Sequence, residues 1–215
     1  CHNMVGLQHA SMAIFNAYID RVPMMVLGGT GPMVTKRRRP RIDWIHTALV
    51  QGNQVRDYTK WDDQPYSLAD VPDSFIRGYR IATTDPTAPV YINYDADIQE
   101  DAVKAMVDMP DVSRHSTPAP AQANPEALRR AAEMLVNAKC PLIVADMLGR
   151  NPKAMPLLIE LAELLAAPVV DKGARFNFPS THPLDVTDGA REILQKADFI
   201  LALDVGDLFG ALTTV

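Results

Sequence analysis

The feature that most constrains the fold is a series of short, nearly uninterrupted apolar runs. These are VPMMVLGG, VYINY, PLIVAD, APVVD and DFILALD. A strand that is covered by helices on both faces is apolar along most of its length, so such runs indicate the strands of a buried parallel sheet. Segments with helical spacing separate them, and this alternation predicts an α/β fold with parallel sheets.

The first helical segment is apolar on more than one side. One face has the spacing i, i+3, i+4, i+7 and i+8, with Ala10, Ala13, Ile14, Ala17 and Tyr18. Met12, Phe15 and Ile19 make a second face apolar too, which predicts a helix buried on most sides. Another helix is predicted from Leu68 onward, with Pro72 in its first turn.

A segment rich in proline and serine divides the chain into two predicted domains, residues 1–100 and 123–215. The linker, residues 101–122, includes MPDVSRHSTPAPAQ and has no sustained periodicity. After it, Asn124 can cap a helix that has Pro125 at its first position. The predicted buried face of that helix consists of Leu128, Ala131, Ala132, Leu135 and Val136.

Composition excludes several classes of protein. The chain has 47% apolar and 22% charged residues and a net charge of −5, which indicates a globular protein and argues against nucleic acid as the main partner. Cys1 and Cys140 are far apart and lack metal-ligand spacing, so we expect neither a disulfide framework nor a structural zinc site. The sequence also predicts no membrane-spanning segment, and a cytoplasmic location fits it best.

The region between residues 30 and 60 has weaker patterns. A helix is predicted near Trp44 to Val50, and VRDYTKW is consistent with a further strand. The basic run KRRRPR, residues 36–41, is interpreted first as a solvated loop or an interface, because the chain as a whole is acidic. Attraction of a carboxylate substrate by its arginines is a weaker alternative.

Several segments, taken in order, resemble a known family. They are VGLQHASMAIFNAYIDRVPMMVLGG, RDYTKW and APVYINYDADIQE, followed by the linker and by ELAELLAAPVVDKGARFNFPSTHPL. In this order they resemble the thiamine diphosphate-dependent enzymes of the acetolactate synthase, benzoylformate decarboxylase and pyruvate oxidase group. RRPRIDWIHTA and VRDYTKWDDQP are most similar to acetolactate synthase-like members.

The resemblance implies a domain assignment and a chemistry. Residues 1–100 would be part of a pyrimidine-binding domain, and residues 123–215 a Rossmann-like central domain that is truncated at its C-terminal end. The implied cofactors are thiamine diphosphate and Mg²⁺, with the metal held by a domain outside this chain. The implied reaction is decarboxylation of a 2-oxo acid with carboligation, in a homodimer or homotetramer.

Two further expectations concern what the chain lacks. FAD has little support, because Gly149 is the only glycine in VADMLGRNP, the segment that corresponds to the flavin-side turn of some family members. The family's upstream glutamate and its Gly-Asp-Gly motif are not in this sequence. We therefore expect the chain alone to be inactive.

The resemblance also implies residues on the catalytic and cofactor side. His2 corresponds to a histidine that serves as an acid or base in the benzoylformate decarboxylase-like branch, and imidazole suits proton transfer near neutral pH. The alternative is a polar residue on a loop that follows a strand. Asn3, Gly6 and His9 are predicted to lie beside the cofactor, although many members have asparagine where this chain has His9.

On the substrate side, His46 and Gln51 are the predicted residues. His46 aligns with the first residue of a Phe-Gln-Glu segment that borders the active site of acetolactate synthases, and a surface-loop histidine is the alternative.

Two other functions stay open. One is a simple decarboxylase of the benzoylformate decarboxylase type, and the other is a non-catalytic nucleotide-binding or regulatory α/β module.

Overall fold

The computed structural model describes residues 1–213, which form two compact units. The first unit is residues 1–121, and the second begins at residue 122. Each unit contains a three-stranded sheet in which all strands are parallel. The α/β fold class that the apolar runs predict is therefore confirmed.

The first unit places a short parallel sheet among four helices. Its elements are α1 (Val5–Ile19), β1 (Met25–Thr30), α2 (Ile42–His46), β2 (Trp61–Asp63), α3 (Val71–Thr83), β3 (Val90–Asp95) and α4 (Ala96–Glu100). Short 3₁₀ helices lie at Thr35–Arg37, Gln51–Gln54, Arg56–Tyr58, Leu68–Asp70 and Val112–His115. The strand order is β1-β3-β2, so β3 is central.

The core of the first unit forms where α1 packs on the sheet. Its buried residues are Leu7, Ile14, Val26, Val55 and Tyr91. The prediction that α1 is buried on most sides is wrong, because Met12, Phe15 and Ile19 are 69%, 44% and 51% exposed. Only the side of α1 with Leu7, Ile14 and Ala17 is buried.

The region before β2 differs from its predicted structure. The helix there is α2, which ends at His46, and the strand begins at Trp61 because Arg56–Tyr58 is a 3₁₀ helix. The hydroxyl of Tyr58 donates to the Gln54 carbonyl at 2.9 Å, and that of Thr59 donates to the Val55 carbonyl at 3.0 Å. Such local bonds favour turns over a strand ladder.

The second unit is built on a central strand that is buried at every residue after the first. Its elements are α5 (Pro125–Asn137), β4 (Pro141–Ala145), α6 (Ala154–Leu165), β5 (Val169–Asp171), α7 (Ala190–Leu194), β6 (Phe199–Leu203) and α8 (Leu208–Thr213), with 3₁₀ helices at Leu148–Arg150 and Thr187–Gly189. The order β5-β4-β6 puts β4 in the middle. One face of β4 packs on α6, and the other packs on residues of α7 and α8. Both faces of β4 are covered, which explains its continuous apolar sequence.

The predicted cap of α5 is present. The Asn124 side chain accepts hydrogen bonds from the backbone N–H groups of Glu126 and Ala127 at 2.9 and 3.2 Å. The predicted buried face is largely wrong, since only Leu135 is buried while Leu128 and Val136 are 61% and 69% exposed.

Across residues 1–213, no helix combines the length and apolarity that a membrane crossing needs.

Candidate functional site

The candidate site lies where the chain turns from Cys1 into α1. The amino group of Cys1 donates to the Leu27 carbonyl at 2.6 Å, and the Gly29 N–H donates to the Cys1 carbonyl at 3.2 Å. These bonds hold residues 1–3 along the outer edge of β1. His2 and Asn3 therefore lie toward the carboxyl end of that strand, the side of a parallel sheet where ligands usually bind.

Gly6 permits this turn to be compact. A Cβ atom added to Gly6 would lie 2.9 Å from the Cβ of His2 and 3.3 Å from the carbonyl carbon of Cys1. Real Cβ atoms do not approach so closely, so a larger residue would move His2 away from α1. The structure thus places Gly6 directly beside the predicted acid or base.

Asn3 attaches the turn to β1. Its amide lies 3.0 Å from the Gly29 carbonyl oxygen and 3.0 Å from the Gly31 nitrogen. The orientation that satisfies both groups has the amide nitrogen donating to Gly29 and the amide oxygen accepting from Gly31. Asn3 therefore fixes the backbone of the turn, whatever else it binds.

The structure brings His2 and His46 together. Their ring centroids are 5.4 Å apart in an edge-to-face arrangement with an interplanar angle of 89°. His2 is exposed and His46, the last residue of α2, is partly buried. Two imidazoles at one strand end form a site that can accept and donate protons.

Gln51 follows His46 by five residues and is buried, with 1% of its surface exposed. Its amide nitrogen donates to the Gly29 carbonyl at 3.1 Å and to the Tyr91 hydroxyl at 2.7 Å. Its amide oxygen accepts from the Met4 N–H at 3.2 Å. All polar groups of the Gln51 side chain thus have partners within the unit, and its substrate-side role stays a prediction.

Tyr91 and Asn93 are site residues that the sequence reasoning missed. The Tyr91 hydroxyl donates to the Asn93 side-chain oxygen at 3.2 Å. Burial raises the pKa of Tyr91 to about 12, while the bond from Gln51 acts in the opposite direction, so Tyr91 stays neutral at physiological pH. A usable signal was present, because both polar side chains belong to one face of a strand whose neighbour contains Gly28.

His9 and two threonines are the remaining polar residues considered for the candidate site. His9 lies on α1 and is exposed, and its cofactor role stays a prediction. The buried hydroxyl oxygens of Thr30 and Thr47 have no hydrogen-bond partner among the described residues. Thr30 ends β1, and the Thr47 hydroxyl lies next to Gly31. Buried hydroxyls normally have partners, so these two are exceptions in the first unit.

Arg37, Arg38 and Arg39 of the basic run have partners within the unit. Arg37 pairs with Asp97 at 3.1 Å and with Asp101 at 2.5 Å. The Arg38 guanidinium lies 4.9 Å from the centre of the Trp44 ring. These contacts favour the interpretation of the basic run as an ordered surface loop over the capture of a substrate carboxylate.

Asp43, which binds Arg39, provides a pH-dependent contribution to stability. Asp43 is 2% exposed, and hydrogen bonds from the Arg39 side chain and backbone N–H hold its pKa below the usual range. A folded-state pKa below the unfolded value of about 3.9 means that the stabilisation is complete above that value and is lost as the pH falls through the folded pKa. We expect the unfolding free energy of Asp43→Asn to depend less on pH than that of the wild type between about pH 5 and 2.

Urea unfolding followed by tryptophan fluorescence measures this difference, since both tryptophans, Trp44 and Trp61, lie in the first unit. Asp73→Asn is the control, because Asp73 forms an exposed pair with Arg77. Equal pH profiles for the wild type and Asp43→Asn would contradict the prediction.

Two observations bear on metal and flavin binding. Among residues 1–213, no three His, Cys, Asp or Glu side chains are placed to hold a metal ion. A Cβ atom on Gly149 would lie 2.2 Å from the Phe176 carbonyl oxygen. Gly149 is therefore required for close packing within its own unit.

Comparison with known proteins finds a family similarity in the second unit. Residues 128–214 match the family model of the thiamine pyrophosphate enzyme central domain. An X-ray structure from Mycobacterium smegmatis, assigned to the thiamin diphosphate-dependent enzymes, superposes on 94% of this chain with a TM-score of 0.72 and covers 38% of that protein, at 23% identity. At this identity the superposition supports the fold alone.

Curated relatives extend the similarity to both units. Sulfoacetaldehyde acetyltransferase of Rhodobacter capsulatus is 29% identical over 94% of the chain, and benzoylformate decarboxylase of Pseudomonas aeruginosa is 27% identical over 84%. A probable acetolactate synthase large subunit of Methanocaldococcus jannaschii is 25% identical over 92%. The chain spans 34% of the length of each of these relatives. These matches confirm the family resemblance predicted from the sequence.

Proposed function

We propose that the protein is a thiamine diphosphate- and Mg²⁺-dependent enzyme acting on 2-oxo acids, and the match of residues 128–214 to the thiamine pyrophosphate enzyme central domain supports this. The proposed reaction is acetolactate synthase-like, a decarboxylation coupled to carboligation. The observation that carries the proposal is the His2–His46 pair, held against the carboxyl end of β1 by a glycine turn. Names of relatives that include an acetyltransferase and an acetolactate synthase support the carboligating type.

The residues of the first unit have separate roles in this proposal. Asn3, Gly6 and His9 lie on the side of the aminopyrimidine in this proposal, and the unpaired hydroxyls of Thr30 and Thr47 are buried nearby. His2 holds or moves a proton at the reacting end of the site, and His46 borders the substrate. Thiamine diphosphate supplies an electron sink for decarboxylation when it is bound. Mg²⁺ is assigned to a part of the protein outside this chain.

The proposal includes an assembly and a location. Family sites form between subunits, so we propose a homodimer or homotetramer. We also propose a cytoplasmic location, which agrees with two free cysteines, Cys1 and Cys140.

A simple decarboxylase is the second candidate. It is favoured by the exposure of the His2 imidazole, which corresponds to the acid or base of the benzoylformate decarboxylase-like branch, and by the similarity to benzoylformate decarboxylase. The two candidates differ in product, because the decarboxylase releases an aldehyde and the synthase forms a new carbon–carbon bond.

The test uses the complete protein with pyruvate and other 2-oxo acids. We expect turnover to stop when thiamine diphosphate and Mg²⁺ are removed and to return when both are restored. His2→Ala should lower kcat by about 100-fold or more, as expected for loss of an acid or base. His115→Ala, in the 3₁₀ helix at Val112–His115, is the control. Consumption of 2-oxo acids that does not depend on thiamine diphosphate would overturn the proposal.

A further inference from the structure

The turn that carries His2 and Asn3 contains an unfavourable backbone conformation. Met4, which precedes α1, has a φ of 37° and a ψ of −67°, and no side chain caps the helix at this position. A positive φ is costly for a residue that has a Cβ atom, so contacts outside the turn must hold it in place. One such contact is the bond from the Met4 N–H to the Gln51 amide oxygen.

The orientation of the Gln51 amide is determined by its surroundings. Its nitrogen faces two acceptors, the Gly29 carbonyl and the Tyr91 hydroxyl, while its oxygen faces the Met4 N–H. Because the Tyr91 hydroxyl donates to Asn93, it can only accept from Gln51. A rotated amide would place donor against donor at Met4, and buried Gln51 has no access to water that could compensate.

Gln51 is connected to the two segments that carry the imidazoles, through the backbone of Gly29 on one side and through the chain itself on the other. The Gly29 carbonyl that accepts from Gln51 also lies 3.0 Å from the amide of Asn3, the residue next to His2. On the other side, Gln51 begins the 3₁₀ helix Gln51–Gln54, five residues after His46 in the sequence. One buried side chain thus connects the turn that carries His2 with the segment that carries His46.

We propose that Gln51 is a positioning residue, which sets the distance and angle between His2 and His46 through the Met4 turn. Tyr91 supports it by fixing the orientation of its amide. This assignment differs from the substrate-side role predicted for Gln51 from the sequence. It rests on the proposed function only in treating the histidine pair as part of the active site.

Nuclear magnetic resonance of the 215-residue chain tests the geometry without turnover. The imidazole signals of His2 and His46 report on the pair, and those of His115 and His182 serve as internal references. We expect Gln51→Met to shift both signals of the pair and to remove the cross-peaks between their ring protons. The reference histidines should be unchanged.

The matched control is Gln54→Met, the same exchange in the same 3₁₀ helix. Gln54 donates to the Ser11 hydroxyl on α1 and has no hydrogen bond with the turn. A general loss of stability would affect both variants, whereas altered geometry of the pair should appear only in Gln51→Met. Unchanged His2 and His46 signals in a folded Gln51→Met chain would overturn the proposal.

If Gln51→Met does not fold, Tyr91→Phe decides. It removes one acceptor of the Gln51 amide and keeps the Met4 bond, so smaller shifts at His2 and His46 are expected, with Tyr79→Phe on the exposed side of α3 as control. Absence of these shifts would overturn the proposal. In the complete protein, Gln51→Met should lower kcat and leave KM nearly unchanged, while direct substrate binding would raise KM. These results are separate from thiamine diphosphate dependence, whose absence would overturn the proposed function instead.

Discussion

Replacing Asn177 with aspartate is expected to lower the unfolding free energy of the second unit by about 3 to 5 kcal/mol, the usual effect of an uncompensated buried charge. Asn177 is completely buried. Its amide nitrogen lies 2.7 Å from three oxygens, the carbonyls of Asp146 and Arg175 and the carboxylate of Asp171. Aspartate would place a carboxylate oxygen against all three. Far-UV circular dichroism during urea unfolding measures the loss.

Asn151→Asp is the matched control for this exchange. Asn151 is exposed, and its side-chain oxygen accepts from the Lys153 N–H, a bond that aspartate retains. We expect a change within about 0.5 kcal/mol, as for most surface substitutions. Tryptophan fluorescence should change little in either variant, because both tryptophans lie in the first unit. Equal unfolding curves for the two variants would show that the Asn177 contacts do not stabilise the unit.

The second large effect is expected for Gly28→Ala in β1. The new Cβ atom would lie 2.1 Å from the Tyr91 hydroxyl oxygen and 2.7 Å from two ring carbons. Tyr91 is fully buried and held by Gln51, so its ring has little room to move. We expect a loss of about 2 to 3 kcal/mol, at the upper end of measured overpacking effects. Urea unfolding followed by tryptophan fluorescence measures it.

Three further variants check the cause of this loss. Gly189→Ala lies in the second unit and is therefore followed by far-UV circular dichroism; a Cβ atom there would meet no atom within 4 Å, so the exchange should be close to neutral. Tyr91→Leu as a single change should lower the unfolding free energy. The loss in the double variant Gly28→Ala/Tyr91→Leu should be smaller than the sum of the losses in the two single variants. Additive losses would mean that the effect of Gly28→Ala does not arise from the clash with Tyr91.

The strands were the most predictable part of the fold. Residues of β4 are apolar on both faces because α6 covers one face and α7 and α8 cover the other, and a continuous apolar run reports this directly. The Asn124 cap was predictable because it is local: its partners are the N–H groups two and three positions further along the chain.

Burial of helices was less predictable. The apolar residues of α1 and α5 have helical spacing, but spacing does not show which faces another element covers. Met12 and Leu128 are therefore exposed although their patterns predicted burial. The 3₁₀ helix at Arg56–Tyr58 was missed because side-chain bonds to the backbone, and not apolar periodicity, determine it.

The sequence indicated which residues belong to the candidate site, but it did not indicate how they are arranged in space. Family resemblance indicated His2 and His46 separately, and their contact depends on how residues 30–50 return to the end of β1. Tyr91 and Asn93 share one face of β3, which a local pattern can show, but their bond to Gln51 joins segments 40 residues apart and no local pattern contains it.

The carbonyl oxygen of Gly29 accepts from Gln51 and lies within hydrogen-bonding distance of Asn3. Positions 3 and 51 are therefore not independent variables for anyone who redesigns this protein. A library that diversifies position 51 would also disturb the turn before α1, so each variant would change the backbone of the site together with the side chain. Varying position 46 while retaining Asn3 and Gln51 keeps the backbone support of the site constant.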